Sequence, residues 1–352
     1  MPSKNHTHEQ HFLLSAKARS LSVPQIAEWD EETVFKTFRE LRWPKTGGEP
    51  YCPICGSVDH YFSKGRRQWR CKDCGRTYSV TSGTWLHSSN LPLKTILIAI
   101  VLLANAVKGV SASQLMRHLD VQYKTAYTLY HKLRSALLGT RYDQPAMKGE
   151  IQTDGAYLNP YKRPANRAMD RPDGDRESSM PESCILVIRQ AGEKGKGATR
   201  TLTYVIDKEN AKDIQYHVED NVQPGSTIVS DEHSAYGNLQ VNFERVVVNH
   251  KICYCGPAGE NTNQAESFFA RFRRMFKGQI HRASREYLEL YANEVAYRED
   301  TRRWDNGRIA FDMLGRMLTL ADDSPFRGYW SRSRRNPAVA SLESPPSFPL
   351  AA

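Results

Sequence analysis

Four cysteines constrain this chain more than any other feature. Cys52-Pro-Ile-Cys55 and Cys71-Lys-Asp-Cys74 give the spacing C-x2-C-x15-C-x2-C. Each pair fits a tight knuckle whose two thiolates converge on one ion. Two such knuckles supply the four sulfurs of a closed tetrahedral Zn2+ site. Gly56 and Gly75 follow the pairs, where the turn favours a residue tolerant of positive φ. Four thiolates leave no position for water, so the expected zinc is structural. A disulfide reading would need an oxidising compartment. Met1 to Gln10 is polar, without the apolar core of a secretory signal. The longest apolar run, Ile96 to Val107, is interrupted by Asn105 and falls short of the ~20 residues that span a bilayer. A buried helix, no membrane partner and a cytoplasmic location are expected. Cys184 and Cys253-Tyr-Cys255 are read as ordinary thiols.

The 352 residues accommodate two or three domains at ~100–200 residues each. With 39% hydrophobic residues the chain can build true cores. Its 49 Lys and Arg against 39 Asp and Glu, a formal charge of +10, favour a polyanionic partner. Residues 1–46 read as a basic, flexible lead (1–20) and a helical pattern from Ser22 to Arg42. Residues 47–86 form the ribbon. Its Lys64, Arg66, Arg67, Trp69, Arg70, Lys72 and Arg76 suggest a basic and aromatic DNA-facing surface. Residues 87–145 read as helical, with a strongly apolar helix from Lys94 to Val107. In Ser111-Ala-Ser-Gln114 the serine can cap a helix while the glutamine reaches back. Leu115, Leu119 and Val121 surround a short turn, and a second helix begins at Tyr123. This suits a helix-turn-helix in which Lys124, Thr125 and Lys132 face DNA; a plain packing hairpin is the alternative.

From Glu150 the texture changes to short strands: Glu150–Tyr157, Cys184–Gln190, Thr201–Ile206, Thr227–Val229 and Arg245–Val248. A helix (Asn210–Glu219) lies between the third and fourth. Asn159–Met180 reads as a loop, the chain after Asn261 as helical through Arg298, and residues 322–352 as a mobile tail. Asp154 sits within a strand, where a charge is costly unless paired or metal-bound. Asp231 ends another strand, or caps the next helix. Glu266 lies on the helix after Asn261, with Asn263 one turn earlier and Arg273 two turns later. Two acids at strand ends and one on a later helix can clamp two Mg2+ or Mn2+ ions for in-line phosphoryl transfer.

Taken in order, RWP (42–44), CPICGS (52–57), WRCKDCGRTYSVTSGTW (69–85), LPLKTILIAIVLLANAVKGVSASQL (91–115), SDEHSAY (230–236), VNH (248–250) and NTNQAESFFARFRRMFKGQIH (261–281) resemble the zinc-ribbon insertion-sequence transposases of the ISXO-two-like group, within the DDE superfamily. The resemblance implies an α/β RNase H-like catalytic domain over 146–310, with 311–352 a helix end and tail. It implies catalytic acids at Asp154 and Asp231, and a third group at Asn263 or Glu266. Arg273 falls where the family has lysine, Gly155 where an acid commonly follows the first aspartate, and Asn261 where histidine is usual. Arginine keeps the charge but not the geometry of an ammonium. The expected function is a metal-dependent transposase that binds terminal inverted repeats and cuts and joins double-stranded DNA. Arg273 or Lys277 would steady the phosphate. A homo-oligomer on DNA and association with the nucleoid are expected. The alternative is an inactive, domesticated DNA-binding relative.

Overall fold

The computed structural model describes residues 12–158, 183–193, 197–248 and 261–319. The expected loop Asn159–Met180, His250, Cys253, Cys255 and the 322–352 tail lie outside them. The single helical pattern of Ser22–Arg42 is two helices, α1 (Val23–Glu28) and α2 (Glu31–Arg42). Ser22 caps the first in a reciprocal box with Gln25, and Asp30 accepts from Thr33 N–H at 2.7 Å to start the second. The chain turns between them because Asp30, as N-cap, is extended rather than helical. The described end of the lead is less loose than expected. Ser20 and Leu21 donate their backbone N–H groups to Asn306 Oδ1 at 2.8 and 3.0 Å.

Three short antiparallel strands come next, β1 (His60–Ser63), β2 (Gln68–Cys71) and β3 (Thr77–Ser79). They are not a free-standing module. Trp69, expected on the ribbon surface, is buried, stacking on Phe35 of α2 and meeting Trp43 edge-on. The exposed ribbon aromatics are Tyr51, Tyr61 and Phe62. The same core takes in α3 (Leu93–Asn105), α4 (Ala112–Leu119), α5 (Tyr123–Leu137) and the distant α9 (Asn306–Met317). The domain break expected after residue 310 therefore falls inside a helix that belongs with the amino-terminal half, through Met313, Leu314 and Met317. Met317 lies one turn beyond Met313 and Leu314, so the three share one apolar face that demands burial.

The second half holds a five-stranded sheet in the order β6-β5-β4-β7-β8, from β4 (Glu150–Leu158), β5 (Ser183–Ala191), β6 (Ala198–Ile206), β7 (Thr227–Ser230) and β8 (Glu244–Val247). The first three strands are antiparallel; β7 and β8 run parallel to β4. β5 alternates between two cores. Cys184, Leu186 and Ile188 face α6 (Ala211–Asn221) and the short helical turn Ser234–Val241. Ile185 and Val187 face α7 (Asn263–Met275) and α8 (Arg285–Asp300). Burial on both faces explains the near-continuous apolar run.

The two halves are bolted together at Glu294. Tyr130 donates to it at 2.5 Å, Arg134 at 2.7 Å and Arg298 at 2.9 Å. Burial pushes the Glu294 carboxyl up, but Arg134 and Arg298 outweigh it and hold the pKa down at about 2. Arg298 also donates to the carbonyls of Leu103 and Ala106, satisfying the orphaned end of α3. That helix stops at Asn105, two residues short of the expected Val107.

Candidate functional site

Two sites stand out. The first is the cysteine cluster. Cys52 N–H donates to Ser57 O and Gly56 N–H to Cys52 O; Cys71 N–H donates to Arg76 O and Gly75 N–H to Cys71 O. The two knuckles are thus the same turn repeated, with Gly56 at φ +75° and Gly75 at φ +67°. Cys52 Sγ lies 3.6 Å from Cys74 Sγ, and Cys55 Sγ 3.5 Å from Cys71 Sγ. All four sulfurs lie within 4.8 Å of one another, as one shared metal ion requires. Sulfurs at ~2.3 Å around a tetrahedral zinc would stand roughly 3.8 Å apart, so the donor set fits that ion.

The second is the carboxyl end of the large sheet. The parallel register pairs Ile151 with Ile228 and Gln152 with Val229. Continued two residues, it sets Asp154 opposite Asp231, on one face of adjacent strands. Asp154 is half-buried and accepts only the N–H of Gly155, at 2.8 Å, among the hydrogen bonds of the described residues. Desolvation, then the charge of Asp231, raise its pKa to about 7; Glu209 and Glu266 add to the effect. Asp231 does not cap a helix directly. It accepts from His233 N–H at 3.0 Å, and His233 caps the turn Ser234–Val241. Arg245 fixes the strand end, donating to Ser230 Oγ at 3.0 Å and Asp231 O at 2.8 Å.

Glu266 is held by the backbone of its neighbour. Gln264 N–H donates to Gln152 Oε1 at 2.9 Å, and Gln264 O accepts from Arg189 at 2.6 Å. Gln152 and Arg189 are both buried in the sheet. They pin the first turn of α7, and so Glu266, beside the aspartates. Glu266 is exposed and accepts from Thr262 Oγ1 at 3.4 Å. Asn263 is exposed at the helix start, where its N–H is capped by Asn261 Oδ1 at 3.1 Å. Arg273 lies over the Phe269 ring at 5.7 Å, and Lys277 is exposed beyond it.

Sequence reasoning missed Gln152, Arg189 and Glu209. Arg189 carries a signal, a charged side chain that follows the apolar run of β5, whereas Gln152 stands among polar neighbours in β4 and carries little. Glu209 carries none, because nothing in its local sequence places it beside Asp154.

The basic residues expected to face DNA divide into two groups. Arg66, Arg70, Lys72 and Lys124 are exposed and Thr125 half-buried. Arg67 is engaged with Glu31 at 3.2 Å and the Phe35 ring at 5.3 Å. Lys132 turns inward to donate to His87 O at 3.0 Å. Ser111 caps α4 by accepting from Gln114 N–H at 3.1 Å, but the Gln114 amide turns to His118 at 3.4 Å instead of completing the box.

An antiparallel trio continued by two parallel strands, helices on both faces and a pair of acids where β7 ends beside the middle of β4 make an RNase H-like α/β fold. Residues 146–300 match the family model of an ISXO2-like transposase domain, and residues 29–77 match that of a transposase zinc-ribbon domain. The chain thus carries the two domains of a DNA transposase of this kind, a zinc ribbon and an ISXO2-like catalytic-type domain. It is 28% identical over 229 residues to an uncharacterized protein in transposable element ISH50 of Halobacterium salinarum, covering 60% of this chain and 71% of that one. Among solved structures, the Mos1 mariner paired end complex with Mn is 11% identical, covering 63% of this chain and 75% of that chain, with a TM-score of 0.27. A pre-cleavage Mos1 transpososome gives 0.24 at the same identity and the same coverage of both chains. No helix among the described residues is long and apolar enough to cross a membrane.

Proposed function

We propose that Asp154, Asp231 and Glu266 hold two Mg2+ or Mn2+ ions and that the chain uses them to cut and join double-stranded DNA at the ends of its element. The observation that carries this is the β4–β7 register, which sets two acids side by side where burial makes ionising both of them unfavourable. A divalent cation offsets that repulsion, so the donor set fits one. When bound, such ions activate an attacking oxygen and stabilise a leaving one. The protein's own part is geometric. Gln152 and Arg189 hold α7 so that Glu266 meets the aspartates, and Arg273 or Lys277 steadies a phosphate on the open side. The same acids would serve two in-line displacements: water on a phosphodiester, freeing a 3′-OH, then that 3′-OH on target DNA. Glu266 is preferred to Asn263 as third ligand because its charge acts on Asp154.

In this reading Zn2+ fills the cysteine knuckles, and Arg66, Arg70, Lys72, Lys124 and Thr125 contact the terminal repeats. Only the first turn of α5 is open for this, since its later residues are core. A cavity of about 510 Å³ beside α7 gathers Lys108, Arg271, Arg274, Arg302 and Arg303, a further concentration of positive charge for a polyanion. Bringing two ends together calls for a homo-oligomer on DNA, nucleoid-associated while bound. The test is a duplex carrying the element's own ends, incubated with Mg2+, Mn2+ or chelator. Metal-dependent nicking at the end, lost in Asp154→Ala, is the expected result. Glu266→Ala that still cuts while Asn263→Ala does not would overturn the choice of third ligand.

A further inference from the structure

One acid beside the aspartates has no role in that chemistry. Glu209 lies between β6 and α6 and is half-buried. Tyr236 donates its hydroxyl to Glu209 Oε1 at 2.5 Å, and the Glu209 backbone N–H donates to Tyr157 Oη at 3.0 Å. The Tyr236 side chain is fully buried, so its hydroxyl needs an acceptor and, in finding one, fixes the carboxylate.

The neighbouring strand makes room for this acid. A Cβ on Gly155 would stand 2.6 Å from Glu209 Oε1 and 2.8 Å from its carboxyl carbon. The backbone of Gly155 is not in the left-handed region that calls for glycine. Glycine weakens a strand interior and often marks a close approach by another group. Here the nearest approaching group is the Glu209 carboxylate, with Cys184 Sγ next at 3.0 Å. The carboxylate arrives one residue along from Asp154, and its charge acts on that aspartate.

Resting on the reading of Asp154, Asp231 and Glu266 as the metal-holding acids, we propose that Glu209 is a fourth acid of the same centre. It is a positioning carboxylate, admitted by Gly155 and oriented by Tyr236, that adds negative charge behind Asp154 and tightens divalent-cation binding. The competing role is purely structural: an acceptor for the Tyr236 hydroxyl and nothing more.

The two roles separate in a calorimetric titration of the full, zinc-loaded chain with Mn2+. Glu209→Gln keeps an oxygen for Tyr236 and removes the charge. It is expected to weaken Mn2+ binding about 10–100-fold, the range for groups that support metal ligands, at an unchanged melting temperature. Gly155→Ala leaves every charge in place and pushes the carboxylate aside, so it is expected to weaken Mn2+ in the same direction. End cleavage by both variants should recover at raised Mn2+. Unchanged affinity in both would overturn the proposal and leave Glu209 as a structural acceptor. If Glu209→Gln does not fold, Gly155→Ala decides alone. Failure of the parent reading looks different: the wild-type chain would bind no Mn2+, or Asp154→Asn would bind it as tightly as wild type, and the proposal would fall with it.

Discussion

The cysteine cluster and the acid cluster are assembled in opposite ways. Each cysteine knuckle is complete within a few residues, its turn closed by its own backbone hydrogen bonds and a left-handed glycine. The acid site is made by three segments far apart in sequence. Asp154 and Asp231 meet through a strand register, and Glu266 arrives through two side chains of the sheet that grip the backbone of Gln264. The difference teaches where metal is needed. Four thiolates around a ribbon of three short strands have little core of their own, so an ion bound there would be part of the fold. The acids sit on a sheet buried on both faces, which stands without it.

The largest expected effect tests that contrast. Removing zinc with a chelator, or Cys71→Ser, should unfold the ribbon and loosen the core it shares with α2 and α3, since Trp69 packs on Phe35 and Trp43. Metal binding by small zinc modules contributes about 10 kcal/mol or more to folding. Thermal melting followed by circular dichroism should show a large drop. An unchanged melt under chelator would break the comparison, because the ribbon would then stand by packing alone.

Asp154→Asn should do the reverse, abolishing activity without harming the fold. Loss of several kcal/mol of transition-state stabilisation corresponds to a rate decrease on the order of 10³-fold. In the metal-free protein Asp154 keeps its proton up to about 7, against 3.8 ordinarily. The folded state therefore binds the proton more tightly than the unfolded one. That contribution to stability is complete below about pH 4 and is lost as pH rises through 7, on the order of 1–4 kcal/mol. Burial also raises Asp300 to about 7, so wild type will show a pH dependence from both groups. The difference between wild type and Asp154→Asn isolates the first. Chemical denaturation at pH 4, 6 and 8 measures it, and parallel curves for the two proteins would show that Asp154 is not strained by its neighbours.

A third, smaller effect concerns placement. Gln152→Ala removes the acceptor that holds the first turn of α7. It should lower the cleavage rate by about 10–100-fold, since small misplacements of reacting groups carry penalties of that order, while leaving DNA affinity unchanged. A wild-type rate would mean that Arg189 alone fixes Glu266.

How far each region is legible in the sequence depends on the same contrast. The knuckles, their glycines and the strands of the sheet can be read locally, because spacing and alternation report on near neighbours. Asp154 stands out as an acid within a strand and Asp231 as one at a strand's end, but their adjacency needs the register. Glu209 is invisible, because only the folded chain brings it over Gly155. Trp69 reads as surface because basic residues surround it in sequence, although strand alternation sets it on the face opposite Arg70, and the packing of α2 covers that face. The α9 helix escapes assignment for a similar reason: its apolar spacing announces a buried face but not which core buries it. Lys132 and Arg67 carry the right charge for DNA and find partners within the protein instead.

That last division yields the finest test. Arg70 is exposed on β2, whereas Arg67 is already engaged with Glu31 and stacked on Phe35. A phosphate contact releases about one counterion, so losing one lowers the slope of log affinity against log salt by about 1. Arg70→Ala should show that reduction on DNA carrying the element's ends, with no change in melting temperature. Arg67→Ala should leave the slope near wild type and lower the melting temperature slightly, because what it loses is a cation–aromatic contact and a surface ion pair, each worth about 1 kcal/mol or less. Fluorescence anisotropy titrations at several salt concentrations distinguish the two. Equal slope changes would mean that Arg67 leaves Glu31 for DNA, and that α2 and the ribbon part on binding.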